Sequence, residues 1–391
     1  MQSKESAMAF TRRAFVKTLG IGGASALAAR GSVFGAELPQ VQGAVPPARP
    51  LLLHNNENPL GPGQAALEAV RQALGEGGPG GRYTFRRVAD LHGAIAEKFG
   101  IKAENVASGC GSTQVLRAAV QMFTSPHRPL VAGELTYEEC AGYADLIGTP
   151  VRAIPLDRNL KLDLDAMAVA AKGAGVVFLN NPNNPTATLH SADAVGAFID
   201  RVLQASPDTT ILIDEAYHDY VTDKSHKTQV PLAIKNPRVI VARTFSKAHG
   251  MAGMRLGYGI GHPETIAKIW SWENANALNL PGMIAGMASI RDQPRLDAER
   301  DRNTVARQFT IDWFAKAGFP STDSQANFIF VDIKRPVKEF RDACRAQGVL
   351  VARDFPPFEK SHCRISIGTL DQMKQAVAVF GQVLGVRAKA A

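Results

Sequence analysis

The segment VARTFSKAHGMAGMRLGYGIG, residues 241 to 261, places one lysine, Lys247, directly after an apolar run that ends in hydroxyl residues. Thr244 and Ser246 precede the lysine, and Arg255 follows it eight residues later. A lysine amine that loses its proton can form a Schiff base with an aldehyde, and partial burial or a nearby cation lowers its pKa toward that state. Hydroxyls and a guanidinium can hold a phosphate. The segment therefore combines a nucleophilic amine with groups that bind phosphate.

Two other apolar runs also end in polar residues. VVFLN is followed by NPNNPTA, which contains Asn183 and Asn184, and TILID ends in Asp214, with Tyr217 three residues further on. A carboxylate can ion-pair with a protonated ring nitrogen and keep that ring an electron sink. Asn and Tyr can hydrogen-bond a phenolic oxygen on the same ring. Asp214 alone could equally cap a helix, but three strand ends that offer Lys, Asp and Asn together predict one site.

A glycine loop, SGCGSTQVL at residues 108 to 116, offers a further phosphate contact. Gly109 and Gly111 permit a close approach of the backbone, and Ser112 and Thr113 open a helix whose first amides can bind an anion. The loop lacks the lysine of a nucleotide P-loop, and many such turns are merely helix caps. It therefore supports the site only in combination with the three strand ends.

The apolar pattern predicts the scaffold that brings these residues together. Helical periodicity follows a Pro-rich linker, at 63–75, 91–100 and 112–123. Continuous apolar runs predict strands at 129–133, 175–180, 210–216, 238–243 and 257–261. Such strands, separated by helices, are typical of a parallel sheet covered on both faces. Ligands bind this kind of sheet at the carboxyl ends of its strands, where the polar residues lie.

The character of the sequence changes after about residue 295. A long charged helix at 297–317 precedes strand candidates at 326–333, 349–353 and 363–368 and a final helix, which predicts an α+β lobe. We therefore divide the chain into four parts: a signal segment at 1–36, an N-terminal segment at 37–80 that joins the smaller lobe, a large domain at 81–295 and a small domain at 296–391.

Composition and charge argue against several classes of function. With 45% apolar and 20% charged residues the chain is typical of a globular protein. Residues 1–36 carry five basic residues against one acid and so supply half of the formal charge of +8. No basic run with interleaved aromatics occurs elsewhere, which disfavours a nucleic-acid partner. The four cysteines form no C-x-x-C pair, which disfavours a metal site or a disulfide framework.

The N-terminal segment FTRRAFVKTLGIGGASALAARGSVFGAELP has paired arginines, Arg12 and Arg13, before a short uncharged stretch and small residues. The stretch is far shorter than the ~20 apolar residues of a membrane span. The pattern resembles a twin-arginine export signal, which implies export of an already folded protein to the periplasm or beyond, with only transient membrane contact. The alternative is a cytoplasmic protein with a basic amphipathic start.

The motifs taken together resemble fold-type I pyridoxal-phosphate enzymes of the class I/II aminotransferase group, and within it the histidinol-phosphate aminotransferases. The resemblance spans residues 50 to 388 and rests on NNENPLGP, RYTF, NPNNPTA, IDEAY, TFSKAHGMAGMRLGYG and RISIGT, in the family's order. It implies an α/β fold with a three-layer large domain, a mostly parallel sheet and a smaller α+β domain. It also implies pyridoxal 5'-phosphate as the cofactor and transfer of an amino group from an amino acid, or an amino-acid-like phosphate, to a 2-oxo acid.

The resemblance implies a role for each matching residue. Lys247 would carry the internal aldimine and move protons, and Asp214 and Tyr217 would be the other catalytic residues. The residues implied to bind the cofactor are Gly111, Ser112, Thr113, Tyr137, Asn184, Asp214, Tyr217, Thr244, Ser246, Lys247, Arg255 and Tyr83. Tyr83 would reach the cofactor of a neighbouring subunit, which implies a homodimer with shared sites. The residues implied to bind the substrate are Arg364, Asn58 and Arg353, and Arg353 could equally form a structural ion pair.

Three departures from the family pattern accompany the resemblance. Ala187 stands where a glycine is usual, GELTY replaces a proline-containing segment before Tyr137, and GSTQ replaces a more acidic helix start. None of them removes a group that the chemistry needs. An alternative function is a pyridoxal-phosphate-dependent decarboxylase, cyclase or lyase in specialised metabolism. A binding or regulatory module without chemistry is a third possibility, disfavoured by the intact Lys247 and Asp214.

Overall fold

The computed structural model describes residues 49–272 and 277–386. The predicted signal segment at 1–36 lies outside the described residues. Within the described part, strands and helices alternate along the chain, and no helix is long and apolar enough to span a bilayer. The fold is α/β with a mostly parallel central sheet, as predicted.

Seven strands of the described chain form the central sheet, in the order β2-β8-β7-β6-β5-β3-β4. Strand β8 is antiparallel to both of its neighbours, β2 and β7, and the other pairs of neighbouring strands are parallel. The strands are β2 (Val106–Gly109), β3 (Leu130–Gly133), β4 (Val151–Ile154), β5 (Val176–Asn180), β6 (Thr210–Asp214), β7 (Val239–Thr244) and β8 (Gly257–Gly261). The five predicted strands correspond to β3, β5, β6, β7 and β8.

Helices surround this sheet. They are α1 (Gln64–Leu74), α2 (Phe85–Phe99), α3 (Ser112–Phe123), α4 (Glu139–Leu146), α5 (Leu164–Ala170), α6 (Ala192–Ala205), α7 (Val230–Ala233), α8 (Pro263–Trp272) and α9 (Leu280–Arg291). Strands β5, β6 and β7 are buried along their whole length, because helices cover both faces of the sheet. Side chains on the two faces of these strands belong to two separate apolar clusters.

A second group of elements forms the C-terminal part. It contains α10 (Gln293–Lys316), β9 (Phe328–Asp332), α11 (Val337–Ala346), β10 (Val349–Val351), β11 (His362–Ser366) and α12 (Leu370–Leu384). Strands β9 and β11 pair antiparallel, and their apolar side chains share one cluster with α11 and α12. Helix α12 begins at a capping box formed by Thr369 and Gln372 and ends at Gly385, whose backbone is left-handed.

The N-terminal segment divides between the two groups. Strand β1 (Leu51–Leu53) pairs in parallel with β10, as expected for a segment that joins the smaller lobe. Helix α1 behaves differently, because its buried Ala66 belongs to a cluster of the central sheet. The prediction that residues up to 80 join the smaller lobe is therefore too broad, while the remaining domain boundaries stay predictions.

The register of the central sheet aligns the polar strand ends. Asn180 at the end of β5 is paired with Asp214 at the end of β6, and Asp214 is paired with Ala242 of β7, two residues before Thr244. Parallel strands bring these ends to one edge of the sheet. This register therefore places the polar residues that follow β5, β6 and β7 close together at one edge of the sheet.

Candidate active site

A cavity of about 330 Å³ lies at the carboxyl ends of β5, β6 and β7. Its walls contain twelve of the predicted site residues: Ser112, Thr113, Tyr137, Asn184, Asp214, Tyr217, Thr244, Ser246, Lys247, Arg255, Arg353 and Arg364. Gly111 directly precedes Ser112 and packs against the Arg255 side chain. Residues separated by up to 252 positions in sequence are thus brought to one cavity.

Lys247 follows β7 and extends into this cavity. Its Nζ donates to the carbonyl oxygen of Asn55 at 3.3 Å and lies 5.7 Å from the centre of the Tyr217 ring. Desolvation lowers the pKa of Lys247 to about 8, and the positive charge of Arg364 adds to the shift. A larger share of this amine is therefore neutral near neutral pH than of a solvated lysine, which suits a nucleophile.

The turn after Lys247 depends on one glycine. Gly250 has a φ of +72°, and a Cβ added there would overlap the carbonyl oxygen of Gly61. Both the left-handed backbone and the close approach require glycine. Gly250 therefore lets the loop from 55 to 61 pack directly against the lysine turn.

Asp214 lines the cavity and is buried. Its Oδ1 accepts a hydrogen bond of 3.1 Å from the backbone amide of Ala216. Burial raises the pKa of Asp214 to about 7, although this amide and the charge of Lys247 oppose the shift. A buried carboxylate of this kind is stabilised by a cationic partner, such as a protonated ring nitrogen.

The first residues of helix α3 and Arg255, which are predicted to bind a phosphate, line the cavity together. The N-cap of α3 is Gly111, which has no side chain to bond the first amides, so these N–H groups are available to an anion. Arg255 lies against Gly111 so closely that a Cβ there would overlap Nη2. The guanidinium also donates to the carbonyl of Ala252 at 2.8 Å and lies 3.5 Å from Ser246 Oγ. Together with Thr244, these groups can hold a phosphate.

Asn184 and Tyr217 also line the cavity. The backbone amide of Asn184 donates to Asn180 Oδ1 at 2.9 Å, and its own Oδ1 accepts from Arg364 Nη1 at 2.7 Å. The Tyr217 ring packs edge-on against Phe328, with ring centres 5.0 Å apart. Burial raises the pKa of Tyr217 well above its ordinary value, so its hydroxyl keeps its proton. Tyr137 also borders the cavity, where burial raises its pKa to about 12.

Arg364 and Arg353, the two arginines predicted to bind substrate, both line the cavity. Arg364 is 9% exposed, donates to the carbonyl of His54 at 2.7 Å, and has a pKa lowered by burial. Its Nε has no partner among the described residues, and no carboxylate pairs with it there. Arg353 differs, because it is exposed and forms an ion pair with Glu138. It lines the cavity as well, so the two predicted roles of Arg353 are compatible.

Besides Gly111, two predicted residues do not line the cavity. Asn58 is buried and bonds the loop itself: its Nδ2 donates to the carbonyl of Ala248 at 3.0 Å, and its Oδ1 accepts from the amide of Leu60 at 2.9 Å. Asn58 therefore holds the loop against the lysine turn, and its contact with substrate stays a prediction. Tyr83 is 83% exposed and lies on the surface of the described chain.

Other residues reach the cavity that the sequence did not single out. They are Asn55, Asn56, Glu57, Glu138, Asn180, Ala216 and Ala252. Most of them adjoin a recognised motif: Asn55, Asn56 and Glu57 belong to NNENPLGP, and Glu138 follows Tyr137. The motif was a sufficient signal for the loop, but sequence alone does not tell which of its asparagines points inward.

These donors fit pyridoxal 5'-phosphate. One cavity contains a lysine of lowered pKa and a buried carboxylate. It also contains two side chains that can donate to a ring oxygen and a group of donors that can bind a phosphate. Each of these groups has the charge that the corresponding part of the cofactor requires. Among the described residues, no cluster of three or more His, Cys, Asp or Glu side chains could hold a metal ion.

Comparison with known proteins agrees with this geometry. The model of the family "Aminotransferase class I and II" matches residues 49–380. The histidinol-phosphate aminotransferase of Symbiobacterium thermophilum is 33% identical over 334 residues, which cover 85% of this chain and 90% of that protein. The aromatic amino acid aminotransferase of Nocardia farcinica is 31% identical over 320 residues, 81% of this chain and 87% of that protein.

A solved structure shares the fold. The crystal structure of histidinol-phosphate aminotransferase from Sinorhizobium meliloti in complex with pyridoxal-5'-phosphate superposes with a TM-score of 0.80 and 26% sequence identity. The match covers 92% of this chain and 100% of that chain.

Proposed function

We propose a class of amino donor for this chain, which belongs to the class I and II aminotransferases. The chain is an enzyme that uses pyridoxal 5'-phosphate for transamination. The bound cofactor supplies the electron sink that allows an amino group to pass from a donor to a 2-oxo acid. The runner-up functions, decarboxylation and cyclisation or elimination, are not favoured by these relatives.

We assign roles to the cavity residues on the basis of their positions. Lys247 supplies the amine that bonds the cofactor and then holds or moves the proton at the reacting carbon, which its lowered pKa makes efficient near neutral pH. Asp214 holds the ring nitrogen protonated, and Asn184 and Tyr217 hold the ring oxygen. The amides of Ser112 and Thr113, the hydroxyls of Thr244 and Ser246, and the Arg255 guanidinium bind the phosphate.

The buried guanidinium of Arg364 carries the proposal for the donor. A cation with this little exposure and no carboxylate partner among the described residues is costly until an anion reaches it. We therefore infer that the donor carries an anionic group, a carboxylate or a phosphate, that Arg364 binds.

Arg353 extends the site beyond Arg364. It lines the active-site cavity and also a neighbouring cleft of about 600 Å³ that contains Arg345 and Arg341. A donor with a phosphate at its far end could reach these cations, whereas an aromatic amino acid would end at the cavity. Histidinol phosphate and aromatic amino acids are therefore the first donors to test, as the names of the relatives also suggest.

A donor screen with matched pairs tests this proposal. Histidinol phosphate is compared with histidinol, and phenylalanine with phenethylamine, each with 2-oxoglutarate as acceptor, by following amino-group exchange. The anionic member of a pair should be the better substrate by at least about tenfold in kcat/KM, the equivalent of about 1.4 kcal/mol. Arg353→Gln should lower kcat/KM more for histidinol phosphate than for phenylalanine. Equal activity within every pair would contradict the role given to Arg364.

We also propose that the chain forms a homodimer with shared sites. The support is the exposed Tyr83, together with Phe85, which is 54% exposed nearby on the described surface. Exposed aromatics of this size are common at interfaces. Light scattering would give the mass in solution, and mixing Tyr83→Phe with Lys247→Ala subunits tests sharing, because a shared site predicts activity different from the average of the two variants.

Export remains a further proposal, supported by Arg12, Arg13 and the uncharged stretch after them. Cell fractionation of the full chain tests it. Replacement of both arginines by lysine should retain the protein in the cytoplasm, and unchanged location would contradict the signal interpretation.

A further inference from the structure

Asn56 connects three separate parts of the fold at the wall of the active site. It is 1% exposed and has a left-handed backbone with a φ of +56°. Its Nδ2 donates to the hydroxyl oxygen of Tyr217 at 3.1 Å. Asn tolerates the left-handed conformation better than most residues, because its short side chain can bond locally. Asn56 therefore combines an unusual backbone geometry with a contact to Tyr217, which follows strand β6.

The other polar atoms of Asn56 are fixed from β9 and β11. Its backbone amide donates to Ser366 Oγ at 2.8 Å, and the Ser366 hydroxyl donates back to Asn56 Oδ1 at 2.9 Å. Asn327 Nδ2 donates to the carbonyl oxygen of Asn56 at 3.0 Å. Because Oδ1 accepts the Ser366 proton, the NH₂ group of the amide must face Tyr217.

This orientation decides what the Tyr217 hydroxyl can do. A hydroxyl that accepts a hydrogen bond from an amide N–H still has its own proton to donate, and that proton turns away from the amide. Tyr217 lines the cavity, and its ring lies beneath Lys247 Nζ at 5.7 Å. The charged groups around it are Lys247, Asp214 and Arg364. Because the amide of Asn56 donates to this hydroxyl, its proton is free to point into the cavity, where the ring oxygen of the cofactor is expected.

We propose that Asn56 is a positioning residue that holds the Tyr217 hydroxyl as a donor toward the cofactor's ring oxygen. The proposal rests on the role given to Tyr217 under the proposed function. It also predicts that the hydrogen bond to the cofactor depends on the positions of β9 and β11, because Ser366 of β11 and Asn327, directly before β9, hold Asn56 in place.

Asn56→Asp is the informative substitution. Aspartate has the same shape, tolerates the left-handed backbone, and can still accept from the Ser366 hydroxyl. It cannot donate to Tyr217; instead its carboxylate accepts the Tyr217 proton and withdraws it from the ring oxygen. A donor at the ring oxygen stabilises negative charge there, so its loss makes the bound cofactor harder to deprotonate.

The test uses full-length holoenzyme and follows its visible absorption against pH. Asn56→Asp should raise the midpoint of the absorption change by about one pH unit, a tenfold change in proton affinity. Ser366→Ala, which frees the Asn56 amide to rotate, should also raise this midpoint, but by less than Asn56→Asp does. The dissociation constant of pyridoxal 5'-phosphate, measured on the same proteins, should rise with the loss of the contact.

A double-mutant cycle separates positioning from charge. Tyr217→Phe should raise the midpoint as much as Asn56→Asp does, and adding Asn56→Asp to Tyr217→Phe should give no further shift. Asn58→Asp is the control for added charge, because Asn58 lies in the same loop but bonds Ala248 and Leu60 rather than Tyr217; any shift that it causes should persist in the Tyr217→Phe background.

Each contrary outcome has a distinct meaning. If the Asn56→Asp shift persists in the Tyr217→Phe background, the added charge causes it and the positioning role is wrong. If Tyr217→Phe shifts the midpoint and neither Asn56→Asp nor Ser366→Ala does, Asn56 is structural. If Tyr217→Phe causes no shift, the role of Tyr217 fails and the inference fails with it. Transamination and donor preference would still be measured separately, by amino-group exchange.

Discussion

The strongest quantitative prediction concerns Arg364→Gln, because Arg364 combines burial, fixed geometry and the lack of a carboxylate partner among the described residues. The guanidinium is held by two hydrogen bonds of 2.7 Å, to Asn184 Oδ1 and the His54 carbonyl. The ring centres of Phe355 and Phe328 lie 4.9 and 5.6 Å from its central carbon. The charge is therefore preorganised in a site from which water is largely excluded.

The expected loss follows from this geometry. Removing one partner of a buried, hydrogen-bonded charge pair costs about 2–5 kcal/mol. At about 1.4 kcal/mol per tenfold, kcat/KM for an anionic donor should fall roughly 30- to 4,000-fold. The kcat/KM of Arg364→Lys should lie between that of the unmodified enzyme and that of Arg364→Gln, since lysine keeps the charge but loses the planar guanidinium that reaches both acceptors.

The assay compares kcat/KM for an anionic donor with that for the matching amine without its carboxylate or phosphate. The penalty should be large for the anionic donor and small for the matching amine, because the amine lacks the anionic group that would pair with Arg364. Cofactor occupancy, read from visible absorption, and thermal unfolding verify that each variant is folded and loaded. A loss below about threefold for the anionic donor, in a loaded and folded variant, would refute the assignment of Arg364 as the anion site.

Three further predictions concern the lysine, the buried carboxylate and the turn that follows the lysine. Lys247→Ala should abolish transamination and the lysine-dependent visible band of the protein with added cofactor; a band that survived this change would rule out Lys247 as the bonding amine. Asp214 has its pKa raised from 3.8 to about 7 by burial, so its stabilising contribution to the apo-protein is present below about pH 4 and lost as the pH rises through 7. Asp214→Asn should therefore reduce the decline of apo-protein melting temperature between pH 4 and 8, and parallel curves for the two proteins would count against this linkage. Gly250→Ala should lower the free energy of unfolding by at least about 2 kcal/mol, because the left-handed φ and the overlap with Gly61 act together. Gly253→Ala is its control, since a Cβ there meets no atom within 4 Å, and equal effects of the two changes in denaturant unfolding would show that the close approach is unimportant.

Much of the central sheet was predictable, because its strands are continuously apolar and end in punctuating residues. Predicted strand limits at β5, β7 and β8 agree with the structure to within one residue. Strands β2 and β4 escaped prediction: each has four residues, and β4 is partly exposed at the edge of the sheet, so neither has a strong apolar signal.

The N-terminal loop shows where prediction from sequence stops. The motif NNENPLGP was recognised, but Asn58 was chosen as the residue facing the substrate and Asn56 was not. The choice between them depends on a left-handed φ at Asn56 and on its bonds with Ser366, 310 positions away. Contacts between residues so far apart leave no local pattern in a single sequence.

The residue types and their order were enough to specify the chemistry of this protein. A lysine, an aspartate and an asparagine after three apolar strands, with a glycine loop before a helix, define a covalent site for a phosphorylated ring, since these functional groups are local and independent of packing. The tertiary structure determines the electrostatics of the site. Burial lowers the pKa of Lys247 to about 8. Arg353 forms an ion pair with Glu138, whereas no carboxylate of the described chain pairs with Arg364. These properties arise from desolvation and from charges on distant segments, and both exist only once the sheet, the loop and the C-terminal strands have packed together.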